Sequence, residues 1–183
     1  MHTAPTPPKS GPLARLKRLL VHRWHDDRLP GTLPAQLVQE LTTQVAQSEQ
    51  RHTGEIRICI EGGLPSSYLW RGATARERAI TQFGKLRVWD TEHNNGVLIY
   101  VLLAEHAIEI VADRGLARAV PAEDWNAMVS DMQAAFRQED YAQGLRQALE
   151  QVTAVLAAHF PPTSQGEHTQ GNELPDPPVI GRG

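Results

Sequence analysis

The chain has 183 residues, a formal net charge of −3 at pH 7 and a single cysteine, Cys59. This balance excludes an overall basic field for nucleic-acid binding, and a lone cysteine excludes an internal disulfide and favours a cytoplasmic protein. No apolar run reaches the roughly 18 residues of a transmembrane helix, and the N-terminus lacks the apolar core of a signal peptide.

Proline and glycine divide the chain into three parts. Residues 1–30 are predicted to be an N-terminal tail that carries a basic amphipathic segment, and residues 31–160 to be one folded domain. Residues 161–183 contain little to bury, so they are predicted to be a disordered C-terminal tail.

The basic segment Leu13–Trp24 has leucines at helical spacing and four basic residues. Such a helix can lie on an anionic membrane surface or contact a protein partner. It can also pack on the domain with Trp24 as its anchor. The sequence leaves these interpretations open, and packing is the more common outcome.

The first half of the domain shows clear periodicity. A helix is predicted after Thr32-Leu-Pro34 because apolar residues recur every fourth position. Glu55–Glu61 alternates strictly, with three isoleucines on one face, which is typical of a strand. A capping-box pattern over Thr74–Glu77 then predicts another helix. The buried face of that helix is predicted to consist of Ala79, Ile80, Phe83 and Leu86.

The second half begins with an apolar run. Val97–Leu103 is apolar without alternation, as in a central strand covered on both faces. A tight reversal then leads to a second strand, Ala107–Ala112, and two helices are predicted to begin near Pro121 and Asp140. The helix after Pro121 is predicted to bury Trp125, Met128, Val129, Met132 and Phe136. The predicted fold class is α/β, a small mixed β-sheet flanked by helices on both faces.

The predicted topology gathers polar residues at one edge of the sheet. The first two strands flank a helix and should run parallel, whereas the third returns antiparallel to the second. One edge therefore receives the residues that precede the first two strands and follow the third. These residues are Glu55, Asp90, Glu92, Asn94, Asn95 and Asp113. Calcium prefers such oxygen ligands.

Structural roles compete with this metal site. Asn95-Gly96 is a common turn pair, Asp113 could simply cap the following helix, and Glu55 could pair with an arginine. From the residues alone, both interpretations stay open.

Several segments in order resemble the TPM domain family over residues 31–160. They are Gly54-Glu-Ile-Arg, Ala75-Arg-Glu-Arg-Ala, Trp89-Asp, Asn94-Asn-Gly-Val-Leu-Ile-Tyr, Ile110-Val-Ala-Asp-Arg-Gly and Asp140-Tyr-Ala-Gln-Gly-Leu. The resemblance implies an α/β/α sandwich and a divalent-metal site, with acid phosphatase activity for a plant thylakoid member.

On this basis we predict calcium or another divalent cation bound by Glu55, Asp90, Asn94, Asn95 and Asp113. Weak phosphomonoester hydrolysis would use Asp113, with Arg114 binding phosphate through its planar donors. The alternative is a non-catalytic binding or assembly module, acting on a protein partner or at a membrane surface. The lack of any nucleophile or general base with a visible activator favours that alternative.

Overall fold

The computed structural model describes residues 12–121, 125, 129, 140–162 and 173–181. The strands are β1 (Glu55–Glu61), β2 (Gly96–Leu102), β3 (Ala107–Ala112) and β4 (Val179–Gly181). The helices are α1 (Pro12–Thr32), α2 (Ala35–Glu49), α3 (Ser66–Trp70), α4 (Ala75–Lys85), α5 (Arg114–Ala119) and α6 (Tyr141–His159). A 3-10 turn spans Leu103–Glu105.

The strands form one mixed sheet in the order β3-β2-β1-β4. β1 pairs parallel with β2, placing Glu55 opposite Gly96, and β2 pairs antiparallel with β3. Every residue of β2 is buried, so the predicted central strand is confirmed. Its end lies one residue earlier than predicted, because Leu103 begins the 3-10 turn and His106 completes the reversal at a φ of 47°.

Helices cover both faces of the sheet, which confirms the predicted α/β/α arrangement. The three isoleucines of β1 lie in a core that also contains Leu41 of α2 and Val152 of α6. The opposite face, which includes Cys59 and Tyr100, packs against α3 and α4. The period-two pattern of β1 therefore assigns alternate side chains to two separate helical layers.

The predicted capping box is present at the start of α4. Thr74 Oγ1 accepts from the Glu77 amide at 3.2 Å, and Glu77 Oε2 accepts from the Thr74 amide at 2.8 Å. The predicted buried face of α4 was partly wrong. Ile80 is 53% exposed, whereas Arg78 and Gln82 point inward.

A buried carboxylate explains this rotation of α4. Glu61, at the C-terminal end of β1, receives both Nε and Nη2 of Arg78 at 2.8 and 2.5 Å. Gln82 Nε2 and the Tyr100 hydroxyl also donate to it, at 2.6 and 2.8 Å. Burying a charge is tolerated only with such full pairing, so α4 turns its polar residues toward the sheet.

Both predicted tails contain ordered structure. α1 packs across the C-terminal ends of β1 and β2, where His22 accepts from the Leu64 amide at 2.9 Å. Trp24 is 49% exposed and is therefore not the anchor. Residues 173–181, predicted to be disordered, instead lie along β1 and end in β4. Leu174 fills the core on the α4 side, which the composition of the tail did not reveal.

The predicted helix after Pro121 falls largely outside the described residues. Only Trp125 and Val129 of its predicted buried face are described, and both are helical and pack against the α2–α6 core. Met128, Met132 and Phe136 lie outside the described part of the chain.

Candidate functional site

The candidate site lies where β1 and β2 begin and β3 ends. Backbone bonds join these segments: the Asp113 amide donates to the Gly96 carbonyl, and the Gly115 amide to the Asn94 carbonyl, each at 2.9 Å. A Cβ on Gly115 would lie 2.5 Å from the Asn94 carbonyl oxygen, so only glycine permits this close approach. The loop before β2 and the start of α5 are thus held together as a unit.

Asp113 is the buried carboxylate of this edge, at 5% exposure. It is the N-cap of α5, where its Oδ1 accepts from the Arg114 amide at 2.6 Å. The capping role considered from the sequence is therefore real. It accounts for only one oxygen, because Oδ2 is buried and lacks a hydrogen-bond partner among the described residues.

Asn95 is the buried amide of the same edge, at 1% exposure. Its Nδ2 donates to the Thr53 carbonyl at 2.8 Å, and its backbone amide donates to Thr91 Oγ1 at 3.2 Å. These bonds fix the orientation of the side chain. Like Asp113, it leaves one oxygen, Oδ1, buried and unpaired within the described residues.

Asp90, Glu92 and Asn94 lie at the surface of the loop before β2. Asn94 adopts a left-handed backbone conformation with a φ of 53°, which asparagine tolerates better than most residues. The structure therefore brings these predicted residues to the expected edge, but it leaves their side chains exposed rather than directed into the buried site.

Glu55 is engaged by the C-terminal segment. Its carboxylate accepts from the amides of Glu173 and Leu174 at 3.4 and 3.2 Å. Burial raises the pKa of Glu55 despite these bonds. Because Glu173 also accepts from the Glu92 amide at 3.1 Å, the segment links the start of β1 to the predicted metal loop.

A further carboxylate beside this edge was missed by the sequence analysis. Glu49, the last residue of α2, accepts from the Ile56 amide at 3.2 Å. Burial, and then the nearby charge of Glu55, raise the pKa of Glu49 to about 8. The helical period places Glu49 near the end of α2, but no local pattern shows that it turns back to β1.

Arg114 follows Asp113 and is exposed. No ion-pair partner for its guanidinium occurs in the described part of the chain, so its donors are available to an anion. The same holds for Arg118, one turn further along α5. The predicted phosphate-binding residue thus lies beside the buried carboxylate and faces solvent.

The chemistry of this edge rests on oxygen atoms. Across the described residues, no three His, Cys, Asp or Glu side chains are grouped so as to hold a metal ion. A cation here would depend on Asp113 together with amide and carbonyl oxygens. Calcium accepts such mixed ligands in irregular geometry, whereas zinc prefers nitrogen and sulfur ligands.

The fold and this edge define a small α/β/α domain with a mixed β3-β2-β1-β4 sheet. Two solved structures are similar to it. One is the BA42 protein from the psychrophilic bacterium Bizionia argentinensis, 27% identical, with a TM-score of 0.69, covering 81% of this chain and 95% of that one. The other is the N-terminal domain of a protein from P. gingivalis, 18% identical, with a TM-score of 0.56 and 76% and 88% coverage.

The family is established by sequence. The model of the TPM domain matches residues 28–155, most of the chain, and the chain therefore belongs to the TPM domain family. No curated protein matches it in sequence. No helix in the described ranges is both long and apolar enough to cross a membrane.

Proposed function

We propose that this TPM domain binds a divalent cation, best matched by calcium, at the edge formed by Asp113 and the loop before β2. The observation that carries the proposal is the pair of buried, unpartnered oxygens, Asp113 Oδ2 and Asn95 Oδ1. Leaving a buried acceptor unpaired costs about 1–3 kcal/mol, and more for a charged group. A bound cation would offset that cost.

The surroundings of the two oxygens support this role. Asp113 and Asn95 lie on segments joined by backbone bonds, so both oxygens are held in place before any ion binds. The exposed Asp90 and Asn94 would complete the ligand set through the loop surface. Glu55 would join only by exchanging its bonds to the amides of the C-terminal segment.

We further propose slow hydrolysis of phosphomonoesters at this edge, in keeping with a family model whose name includes the word phosphatase. When bound, the cation would supply charge neutralisation for phosphate oxygens and a more acidic water. Arg114 would bind and orient the phosphate through its free guanidinium. Asp113 would hold the reacting centre next to Arg114.

The test of the cation site is thermal unfolding in calcium and in chelator. A site that binds only the folded state stabilises the domain by ~2.7 kcal/mol at a hundredfold excess over the dissociation constant. We expect calcium to raise the Tm of the wild type and to shift amide resonances near residues 90–95 and 113. Asp113→Asn should abolish both effects.

Asp140→Asn is the matched control. Asp140 also caps a helix, accepting from the Gln143 amide at 3.0 Å, but it is exposed. This variant should retain the full calcium response. A wild type with the same Tm in calcium and chelator, and with no amide shifts, would remove the cation site from consideration.

The test of catalysis is hydrolysis of a generic phosphomonoester by the purified protein. Arg114→Ala should lower kcat/KM about tenfold or more, the loss of a single charge-assisted contact. Arg118→Ala removes a guanidinium from the same helix and should change the activity little. Calcium binding without turnover, or turnover unchanged in Arg114→Ala, would instead support a non-catalytic module with a structural ion.

A further inference from the structure

α1 turns an apolar face toward solvent. Leu13, Leu16, Leu20 and Trp24 form a line along one side of this helix, here called the α1 stripe. Their exposed fractions are 82%, 54%, 64% and 49%. Leucine and tryptophan bury much of their surface when a contact is available, so a continuous exposed line of them marks an interaction surface.

The opposite side of α1 explains why the stripe faces outward. His22 donates toward Glu105 at 3.2 Å, and Arg18 contacts the same carboxylate at 2.6 Å. Gly63 permits the close approach, because a Cβ there would lie 2.6 Å from the His22 carbonyl oxygen. The helix is therefore fixed by its polar side, and its apolar side is free.

Charge distinguishes the kinds of partner. Between residues 12 and 24 the chain has four basic residues and no acidic one, although the whole chain is acidic. Arg15, Lys17 and Arg23 are exposed, and none has an ion-pair partner in the described ranges. Lys17 and Arg23 lie on either side of the stripe in a helical projection.

The tryptophan of the stripe has the form found at lipid interfaces. Arg28 lies over its ring, 4.0 Å from the centroid, which adds a cation beside an exposed aromatic side chain. Tryptophan beside basic residues is favoured at the headgroup level of a bilayer. The nearby helix α3, which contacts α1, ends in Trp70, another tryptophan, 68% exposed.

We propose that the α1 stripe docks this domain on the surface of an anionic lipid bilayer. The leucines and Trp24 enter the headgroup region while Lys17, Arg15 and Arg23 contact lipid phosphates. The stripe extends about 16 Å, the length of eleven helical residues, so the helix lies in the plane of the surface. This inference is independent of the proposed cation site, which lies at the other end of the strands.

The experiment is co-sedimentation of the full chain with phosphatidylcholine vesicles, with and without phosphatidylglycerol. We expect binding only to the anionic vesicles, weakened by salt. Leu16→Glu/Leu20→Glu should lower the affinity by tenfold or more, at about the level of losing two apolar anchors. Lys17→Glu should lower it about fivefold or more, as expected for a lost cation at the surface.

The control variant is Ala154→Glu/Ala158→Glu, which adds the same two charges at exposed positions of α6. It should bind anionic vesicles like the wild type. All of these positions are exposed, so unchanged Tm values will show that each variant folds.

Three results would overturn the proposal. They are no binding of the wild type to anionic vesicles, equal binding to both vesicle types, and equal loss in the control. A dimer that the stripe variant converts to a monomer, without vesicle binding, would assign the stripe to a second copy of the chain instead.

Discussion

Glu61 and Asp113 are both buried carboxylates at strand ends, and they lie at opposite edges of the sheet. Both oxygens of Glu61 accept hydrogen bonds, from Arg78, Gln82 and Tyr100. Asp113 has one oxygen in a helix cap and one with no partner in the described structure. Saturated pairing is what a structural charge requires, whereas an unpaired buried oxygen leaves room for a ligand.

The pKa values at the saturated edge follow from the same contacts. The bonds to Glu61 are the largest cause of the raised pKa of Arg78, so this guanidinium stays charged. Burial, and then the charge of Glu61, raise the pKa of Tyr100, so its hydroxyl stays neutral and donates. This edge has no group that changes charge near neutral pH through these contacts.

Breaking the saturated edge should give the largest effect. Arg78→Ala leaves Glu61 buried without its counter-ion, and we expect the free energy of unfolding to fall by about 3–5 kcal/mol. Chemical denaturation measures this loss. The double variant Glu61→Leu/Arg78→Met should recover most of it, because no buried charge remains. A loss below about 1 kcal/mol in the single variant would contradict the structural role of the pair.

Crowding the unsaturated edge should give the next largest effect. An Ala at position 115 would place its Cβ against the Asn94 carbonyl, so Gly115→Ala should cost about 1–3 kcal/mol. Gly84→Ala is the control, because nothing lies within 4 Å of its Cβ position in α4. That substitution should stabilise the helix by up to about 1 kcal/mol. Equal denaturation midpoints for the two variants would contradict the close contact.

The pH dependence of stability should separate the edges further. Glu49 has a folded pKa of about 8 against an ordinary value of 4.5, so the folded state holds its proton more tightly. The stability it contributes is present below about pH 4.5 and is lost as the pH rises toward 8. Glu49→Gln should remove this loss, a gain on the order of 1–2 kcal/mol near pH 8 after allowance for partial exposure.

The measurement is denaturation at about pH 5 and about pH 8, for wild type and Glu49→Gln. Glu150→Gln is the control, since Glu150 is exposed and contacts Arg51 only at 3.5 Å. It should leave the pH dependence unchanged. A wild type and a Glu49→Gln variant with parallel pH profiles would show that Glu49 does not titrate as described.

The smallest effect is expected at Asp113 itself in the absence of metal. Asp113→Asn retains an oxygen for the α5 cap and removes the unpaired charge, so the free energy of unfolding should change by less than about 0.5 kcal/mol in chelator. Denaturation in chelator measures it. A large loss would show that Oδ2 has a structural partner, and it would remove the contrast with Glu61.

Periodicity was enough to predict the sheet. The alternation of β1 and the unbroken apolar run of β2 reflect burial of one or both strand faces, and the parallel and antiparallel pairings followed from the connections. The predicted residues of the candidate site reached one edge for the same reason. Local patterns also identified the α4 capping box, because all its contacts lie within four residues.

Long-range contacts could not be predicted in this way. The inward turn of Arg78 depends on Glu61, 17 residues earlier, and the order of the C-terminal segment depends on Glu55, 118 residues before Glu173. In that segment, the Val179-Ile180 pair is the one local pattern typical of a strand. Gly63 resembled a simple turn residue, whereas its lack of a side chain permits the packing of α1.

The placement of α1 across the C-terminal ends of β1 and β2 sets a direction for the whole domain. The candidate site lies at the opposite ends of these seven-residue strands, about 20 Å away. A domain resting on the α1 stripe would therefore hold Asp113 and Arg114 out toward the aqueous phase, beyond the reach of lipid phosphates beneath it. Its ions and phosphoesters would arrive from solution or from proteins standing above the same surface.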